Sequence, residues 1–277
     1  MMQHGARLGI FVMGAAGVTC AEPPKTPEPN HATPRLVCER TGLEPGKVAT
    51  LALTFDIAAK WHLYWNGLIE EGMTPAWSLT MPEGFEAEPA QWPVPQRLVL
   101  PGDVLSHVYE GTLTVLIPVR VPESARAGQS VTIQGTVSWV ACSSVCIPEN
   151  EAVSATFRVV APGEATATPE AKRIEAARLN LPRPIDQAEP KVSVEAEDGR
   201  LTVRAPGATR VAFFPGVGCV EVPRIVAQGD RRGERLIIDL EHAENARVVG
   251  MVRVEREGVS PKGYWIDVPV KKRQAKP

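Results

Sequence analysis

Two cysteines separated by three residues offer the clearest chemistry in this sequence. Cys142 and Cys146 lie in Trp139-Val-Ala-Cys-Ser-Ser-Val-Cys-Ile-Pro-Glu149, where one predicted strand ends and the next begins. If the two strands pair as a hairpin, directly opposed residues have Cα atoms about 4.5–5.5 Å apart, which is within disulfide range. A disulfide that closes so short a loop adds only about 2 kcal/mol of stability. Exposed bonds of this kind exchange readily, so the spacing leaves both a redox-active and a purely structural disulfide open.

The N-terminus predicts export from the cytoplasm. Arg7 precedes an apolar run from Leu8 to Val18, and small residues follow, which is typical of a signal peptide cleaved after Ala21. The run is too short for a bilayer, which requires about 20 apolar residues. Lipid attachment at Cys20 is the alternative, although the preceding residues lack the expected Leu and small-residue pattern. The mature chain is therefore expected in the periplasm, where disulfides persist.

Two further cysteines lie outside both the signal and the pair. Cys38 falls on a predicted strand and is expected to be a small buried hydrophobic residue. Cys219 follows Gly216-Val217-Gly218 in a predicted loop and is expected to be free. A bridge between Cys38 and Cys219 has no support in the sequence.

Composition excludes several classes of protein. The 30 basic and 32 acidic residues give a net charge of -2, so the sequence predicts neither a nucleic-acid partner nor attraction to an anionic membrane. The 26 prolines and 23 glycines in 277 residues disfavour long helices. After the signal, no segment is apolar enough to predict a transmembrane helix.

Hydrophobic alternation predicts an all-β fold. Apolar and polar residues alternate over 48–57, 113–119, 131–139 and 153–159, and again beyond residue 190, where Asp198-Gly199 predicts a hairpin turn. Strands at this spacing, separated by Pro and Gly, favour antiparallel sandwiches. A helix is predicted over 170–179, after Pro169 and before Pro182. The predicted organisation is a signal (1–21), a Pro-rich tether (22–34), a first sandwich with the cysteine pair (35–160), a linker with one short helix (161–189), a second sandwich (190–271) and a basic tail (272–277).

An ordered set of Trp and Pro motifs accompanies the cysteine pair. The motifs are Trp61-His-Leu-Tyr-Trp-Asn66, Gly72 to Trp77, Gln91-Trp-Pro-Val-Pro95, Tyr109-Glu-Gly111, Cys142 to Glu149 and Phe213-Phe-Pro215. In this order they resemble the N-terminal periplasmic region of the DsbD and ScsB family of thiol:disulfide interchange proteins. The three-residue spacing resembles the ScsB branch. The membrane and thioredoxin-like domains found in such proteins are not expected in this chain.

The resemblance implies two immunoglobulin-like domains in series and a redox role for the pair. By this resemblance Cys146 forms the mixed disulfide with partner proteins and Cys142 resolves it, without a cofactor or metal. The family shields its pair with an aromatic loop, so the residues expected around the pair are Trp61, His62, Tyr64, Trp65, Tyr109 and Glu149. Core packing is the alternative for Trp61 and Trp65. The implied partners are a membrane electron-conduit protein and thioredoxin-like or other disulfide-bearing proteins in trans.

Two other functions remain open from the residues. Cys142 and Cys146 with His62 or His107 resemble the thiolate and imidazole set that binds Cu(I), which predicts a copper-binding or copper-tolerance module. Alternatively, the chain is an interaction module with a structural disulfide. Either histidine would also lower a cysteine pKa if it lay close enough.

Overall fold

The computed structural model describes residues 29–67 and 73–272. The predicted signal over 1–21, most of the predicted tether and all but one residue of the predicted basic tail lie outside these ranges. Within the described residues, no helix is long and apolar enough to cross a membrane.

The fold is all-β, and antiparallel sheets pack face to face as immunoglobulin-like sandwiches. The first half of the chain forms eleven strands: β1 (Ala32–Cys38), β2 (Gly42–Leu43), β3 (Val48–Ile57), β4 (His62–Tyr64), β5 (Ala76–Thr80), β6 (Glu86–Ala87), β7 (Gln96–Leu100), β8 (Val104–Glu110), β9 (Thr112–Arg120), β10 (Ser130–Cys142) and β11 (Cys146–Val159). One sheet has the order β1-β3-β9-β6, and the other has the order β2-β11-β10-β4-β8-β7 with β5 also on β10. We call these two sheets the N-terminal sandwich.

The second half begins with helix α1 (Ala171–Leu179) and forms a second, smaller sandwich. Its remaining elements are β12 (Arg183–Pro184), a 3-10 turn (Ile185–Gln187), β13 (Ser193–Glu197), β14 (Arg200–Arg204), β15 (Arg210–Pro215), α2 (Ile225–Gln228), β16 (Asp230–Arg232), β17 (Arg235–Asp239), β18 (Arg247–Arg256) and β19 (Val259–Pro269). Sheets of order β12-β19-β18-β15-β16 and β13-β14-β17 make up this C-terminal sandwich. The predicted hairpin turn joins β13 to β14, and Asp198 and Gly199 both have positive φ, as a type I′ turn requires.

The predicted strand over Val48–Ile57 forms as β3, but its burial differs from the prediction. Alternation predicts one exposed face, whereas residues 51–55 are all buried. The reason is α1, whose Ile174 and Ala177 pack against Ala52 and Leu116 on the outer face of this sheet. Arg178 of α1 also forms an ion pair with Glu39. The segment predicted as a linker is therefore packed on the N-terminal sandwich.

The predicted tether is wrong at its C-terminal end. β1 starts at Ala32, which is 1% exposed and belongs to the core. Pro34 is tolerated because β1 is an edge strand of its sheet, where a missing N–H donor need not interrupt the pairing. Pairing with β3, from Ala32 opposite Ile57 to Cys38 opposite Leu51, makes these residues part of the sandwich.

The two sandwiches share their cores where they meet. Phe214 and Met251 from the C-terminal sandwich pack in the core of the N-terminal one. In return, Leu105 of β8 packs in the C-terminal core. Arg97 of β7, which is largely buried, donates hydrogen bonds of 2.7 and 2.9 Å to the carbonyls of Ile225 and Val226. The sequence does not indicate this contact between the halves.

Candidate functional site

The cysteine pair closes the end of the β10–β11 hairpin. The two strands pair in continuous register from Ser130 opposite Arg158 to Cys142 opposite Cys146, so residues 143–145 form the loop. Cys142 and Cys146 form a disulfide with Cα atoms 4.1 Å apart. Hairpin pairing alone therefore brings the two sulfur atoms together, as the spacing predicts.

The two cysteines differ in exposure. Cys142 is 1% exposed, whereas Cys146 is exposed and follows Val145, whose exposed fraction is 57%. Cys142 packs with Tyr64, Val108 and Val140 on the face of the sheet that points away from the sandwich core. An incoming thiol or disulfide can therefore reach Cys146, while Cys142 is covered by its neighbours.

A row of chemically active side chains crosses the sheet at this level. Cys142 of β10 is paired with Cys146 on one side and with His62 of β4 on the other. His62 is in turn paired with Glu110 of β8. Directly opposed residues of antiparallel strands point to the same face, so all four side chains lie on one side of the sheet. The hydroxyl of Tyr64 lies 3.8 Å from the Cys146 sulfur.

His62 is buried within this row. It is 4% exposed, and its Nε2 atom has no hydrogen-bond partner among the described residues. Burial lowers the pKa of His62 because it disfavours the charged imidazolium, and the nearby charge of Glu110 opposes this shift only in part. The Tyr64 ring packs edge-on against the imidazole at a centroid distance of 5.4 Å.

Glu149, which is expected around the pair, is a buried carboxylate on the core-facing side of β11, directly opposed to Trp139. Its side chain is 3% exposed and accepts hydrogen bonds from Trp139 Nε1 at 2.7 Å and from the backbone N–H of His31 at 2.8 Å. His31 Nδ1 lies 2.6 Å from the same carboxylate, and the His31 ring packs on Trp61. His31 lies within the predicted tether and is not among the residues expected at the site from the sequence.

Three of the residues expected around the pair belong to the interior instead. Trp65 is 1% exposed, and its ring stacks on Trp265 of the C-terminal sandwich. Tyr109 is buried in the core and donates a hydrogen bond of 2.7 Å to the carbonyl of Pro93; burial raises its pKa well above the ordinary value. Trp61 packs against the same core. The core-packing alternative therefore holds for Trp61 and Trp65, and the placement of Tyr109 around the pair is corrected to core packing, because residues along β4 and β8 alternate between the two faces of their sheet.

His107 also faces away from the pair. It lies on β8, and its ring contacts Phe214 of the C-terminal sandwich at a centroid distance of 4.7 Å. Its neighbour Val108, on the opposite face, contacts the Cys142 cluster. Of the two histidines considered from the sequence, His62 is therefore the one beside the cysteines.

The two other cysteines of the described residues are free thiols. Cys38 is buried and Cys219 is partly buried, and burial raises the pKa of both. In the described residues, the one cluster of three side chains spaced to hold a metal ion is Glu221, Glu241 and His242, all exposed. It contains neither member of the cysteine pair.

Comparisons with known proteins agree with this geometry. Residues 38–158 match the family model of the N-terminal region of the thiol:disulfide interchange protein DsbD. The crystal structure of the N-terminal periplasmic domain of ScsB from Proteus mirabilis is similar to this chain, with a TM-score of 0.59 and 15% identity over 89% of this chain and 97% of that one. A pilin subunit of Bacillus cereus, BcpA, also aligns, with a TM-score of 0.29 and 7% identity over 86% of this chain and 67% of that one; a TM-score this low carries no argument. No curated protein matches the sequence. Residues 38–158, which contain the hairpin and its disulfide, are therefore a domain of the DsbD N-terminal type.

Proposed function

We propose that this protein is an extracytoplasmic thiol-disulfide interchange protein that relays electrons between redox partners through Cys142 and Cys146. The observation that carries the proposal is a disulfide with one exposed and one buried sulfur at a hairpin end, in a domain of the DsbD N-terminal family. The similarity to a periplasmic domain and the predicted signal support the location outside the cytoplasm.

The proposed exchange has two steps. In the reduced protein the Cys146 thiolate attacks a partner disulfide, so that a Cys146–partner bond forms and one partner sulfur leaves as a thiolate. Cys142 then attacks the Cys146 sulfur, which forms the Cys142–Cys146 bond and releases the second partner thiolate. The protein is oxidised by two electrons and the partner is reduced by two; the reverse sequence recharges the protein.

The contacts of the pair support this order of attack. An exposed Cys146 can enter a mixed disulfide without moving the hairpin, whereas a partner would have to displace Tyr64, Val108 and Val140 to reach Cys142. The Tyr64 hydroxyl, 3.8 Å from the Cys146 sulfur, is placed to donate a hydrogen bond to the thiolate.

The proposed partners act in trans. They are a membrane electron-conduit protein, which supplies or removes electrons, and thioredoxin-like or other disulfide-bearing proteins of the same compartment. The resemblance to the DsbD family supports this assignment.

Trapping experiments test the order of attack. A Cys142→Ser protein is expected to accumulate mixed disulfides through Cys146 when it is incubated with an extract whose disulfide-bearing proteins are oxidised. Cys146→Ser is expected to accumulate far fewer. Both variants carry Cys219→Ser, since Cys219 is a partly exposed free thiol. Trapping in Cys146→Ser alone would reverse the roles.

The reduction potential tests the function itself. A relay requires a pair that can be reduced by other redox proteins, so we expect a potential above about -300 mV. A value well below that limit would identify the disulfide as structural and would refute the relay.

A further inference from the structure

We infer that His62 is the proton acceptor for Cys142 in the resolving step, and the proton donor to the same sulfur in the reverse step. The inference rests on the proposed exchange through Cys142 and Cys146. It follows from the row of side chains across the sheet, in which His62 is directly opposed to the buried Cys142.

The register fixes the neighbours of Cys142. On β10 it is flanked by Cys146 of β11 on one side and His62 of β4 on the other, and all three side chains point to the same face. Directly opposed side chains have Cβ atoms about 4.5–5.5 Å apart. An imidazole ring extends far enough from its Cβ to cover this distance. Within the described residues, the buried Nε2 atom of His62 has no hydrogen-bond partner, so it is not engaged elsewhere.

Burial of Cys142 creates the need for such a group. When Cys146 is attacked by an incoming thiolate, the sulfur that leaves is Cys142, which is 1% exposed. A buried thiolate without a partner is costly because water cannot solvate it. A proton from His62 removes that charge where solvent does not reach.

The proton and electron balance is simple. In the resolving direction, the Cys142 thiol transfers its proton to His62, and the resulting thiolate attacks the Cys146 sulfur. The Cys142–Cys146 bond forms, the Cys146–partner bond breaks, and its electron pair leaves with the partner sulfur. The imidazolium then returns its proton to solvent or to the departing thiolate.

The surroundings of His62 suit both directions. The groups that face it are Cys142 of β10, Glu110 of β8, Tyr64 of its own strand and, one strand further, Cys146. Burial favours the neutral ring, which is the form that accepts a proton, and the carboxylate of Glu110 stabilises the imidazolium once it forms.

A two-phase thiol titration separates the resolving step from the first attack. Residues 22–277 carrying Cys219→Ser are reduced and mixed with excess 5,5′-dithiobis(2-nitrobenzoate) in a stopped-flow instrument. Attack by Cys146 releases the first thionitrobenzoate, and attack by Cys142 on the resulting mixed disulfide releases the second. We expect His62→Gln to slow the second release about tenfold or more at pH 7 while the first stays within about twofold.

Two controls distinguish a proton-transfer role from a structural one. His107→Gln replaces a histidine that is equally buried in the same sheet but faces away from the pair, and we expect both phases to stay within about twofold. In the protein with His62 intact, the rate of the second phase is expected to rise with pH and then become constant. The midpoint of this rise is expected to lie below the ordinary histidine pKa. In His62→Gln, the rate of the second phase should rise about tenfold per pH unit as the Cys142 thiol ionises.

Two results would overturn the inference. One is a second phase that is as fast in His62→Gln as in the parent protein. The other, which needs no variant, is a parent protein whose second phase rises with pH throughout the range in which a thiol ionises. A parent protein that releases no second thionitrobenzoate would instead refute the proposed exchange itself.

Discussion

Replacing Glu149 tests whether its carboxylate stabilises the loop end of the β10–β11 hairpin, where the cysteine pair lies. The carboxylate accepts hydrogen bonds from Trp139 Nε1 and from the backbone N–H of His31, and His31 Nδ1 contacts the same oxygen as that N–H. These contacts join the start of β1 to both strands that carry the cysteines. Glu149→Gln keeps the size of the side chain but replaces one acceptor oxygen by an NH₂ donor.

The geometry sets the magnitude of the effect. Whichever way the introduced side-chain amide turns, its NH₂ group faces either Trp139 Nε1 or the His31 donors, so at least one buried donor loses its partner. Each unsatisfied buried donor costs about 1–3 kcal/mol. We therefore expect Glu149→Gln to lower the free energy of unfolding by about 1–3 kcal/mol. Glu149→Ala leaves Trp139 Nε1 and the backbone N–H of His31 both without an acceptor, so it should lower the free energy of unfolding by about 2–6 kcal/mol.

Urea unfolding followed by tryptophan fluorescence measures these losses. The slope of the transition must stay constant for the shift in midpoint to report stability. Glu151→Gln is the matched control, because Glu151 lies on the same strand but is only partly buried, with one long contact to Asn30. We expect the control to change stability by less than about 0.5 kcal/mol. If Glu149→Gln changed stability no more than Glu151→Gln, the carboxylate would not hold the hairpin.

Three further predictions concern the sandwich contact, the helix and the buried histidine. Arg97→Leu removes two hydrogen bonds to α2, and each should lower the free energy of unfolding by about 1.5–3 kcal/mol, as measured by urea unfolding. Arg120→Leu, at an exposed arginine of β9, is the control. A loss of stability no larger than that of the control would contradict the prediction. Glu39→Gln should cost about 0.5–1 kcal/mol at pH 7. Because Arg178 lowers the pKa of Glu39 in the folded state, this difference should persist above the ordinary Glu pKa and vanish as pH falls through the lowered value; a difference that stays constant in acid would contradict the ion pair. His62 has a lowered pKa when folded, so below the ordinary histidine pKa the unfolded chain binds more protons and stability should fall as pH falls. Thermal unfolding from pH 7 to pH 5 should show this loss in the parent protein and a smaller one in His62→Gln, and equal losses would refute the assignment.

Much of the fold could be predicted from the sequence because its long strands have one strong period. The strand predicted over 48–57 and the hairpin turn at Asp198-Gly199 both form as expected. The first three residues of β1 fall in the predicted tether because Pro34 continues the proline-rich stretch before it, and the alternation of buried residues along β1 becomes visible only once β3 pairs with it. The burial of both faces of β3 depends on α1, which lies more than 100 residues away in the chain.

The candidate site was predictable only where it is local. Cys142 and Cys146 meet because a short hairpin brings them together, and a single sequence contains that information. His62 reaches Cys142 through a three-residue strand from a distant part of the chain, and no pattern in the sequence sets that register. The same limit explains why Trp65 and Tyr109 were expected at the pair: the resemblance indicates the segment but not which face of the sheet each residue occupies.

Because the two sandwiches share residues of their cores, neither sandwich is complete without the other. The family match ends at residue 158, yet Phe214 and Met251 fill part of the interior of the matched sandwich. A gene fragment that stopped near residue 160 would leave an apolar hollow beside Trp65 and would expose Leu105 of β8 to water. Such a fragment should aggregate rather than serve as a portable redox module. Exchange of one sandwich alone would break the shared core, so we expect the pair of sandwiches to fold as one unit.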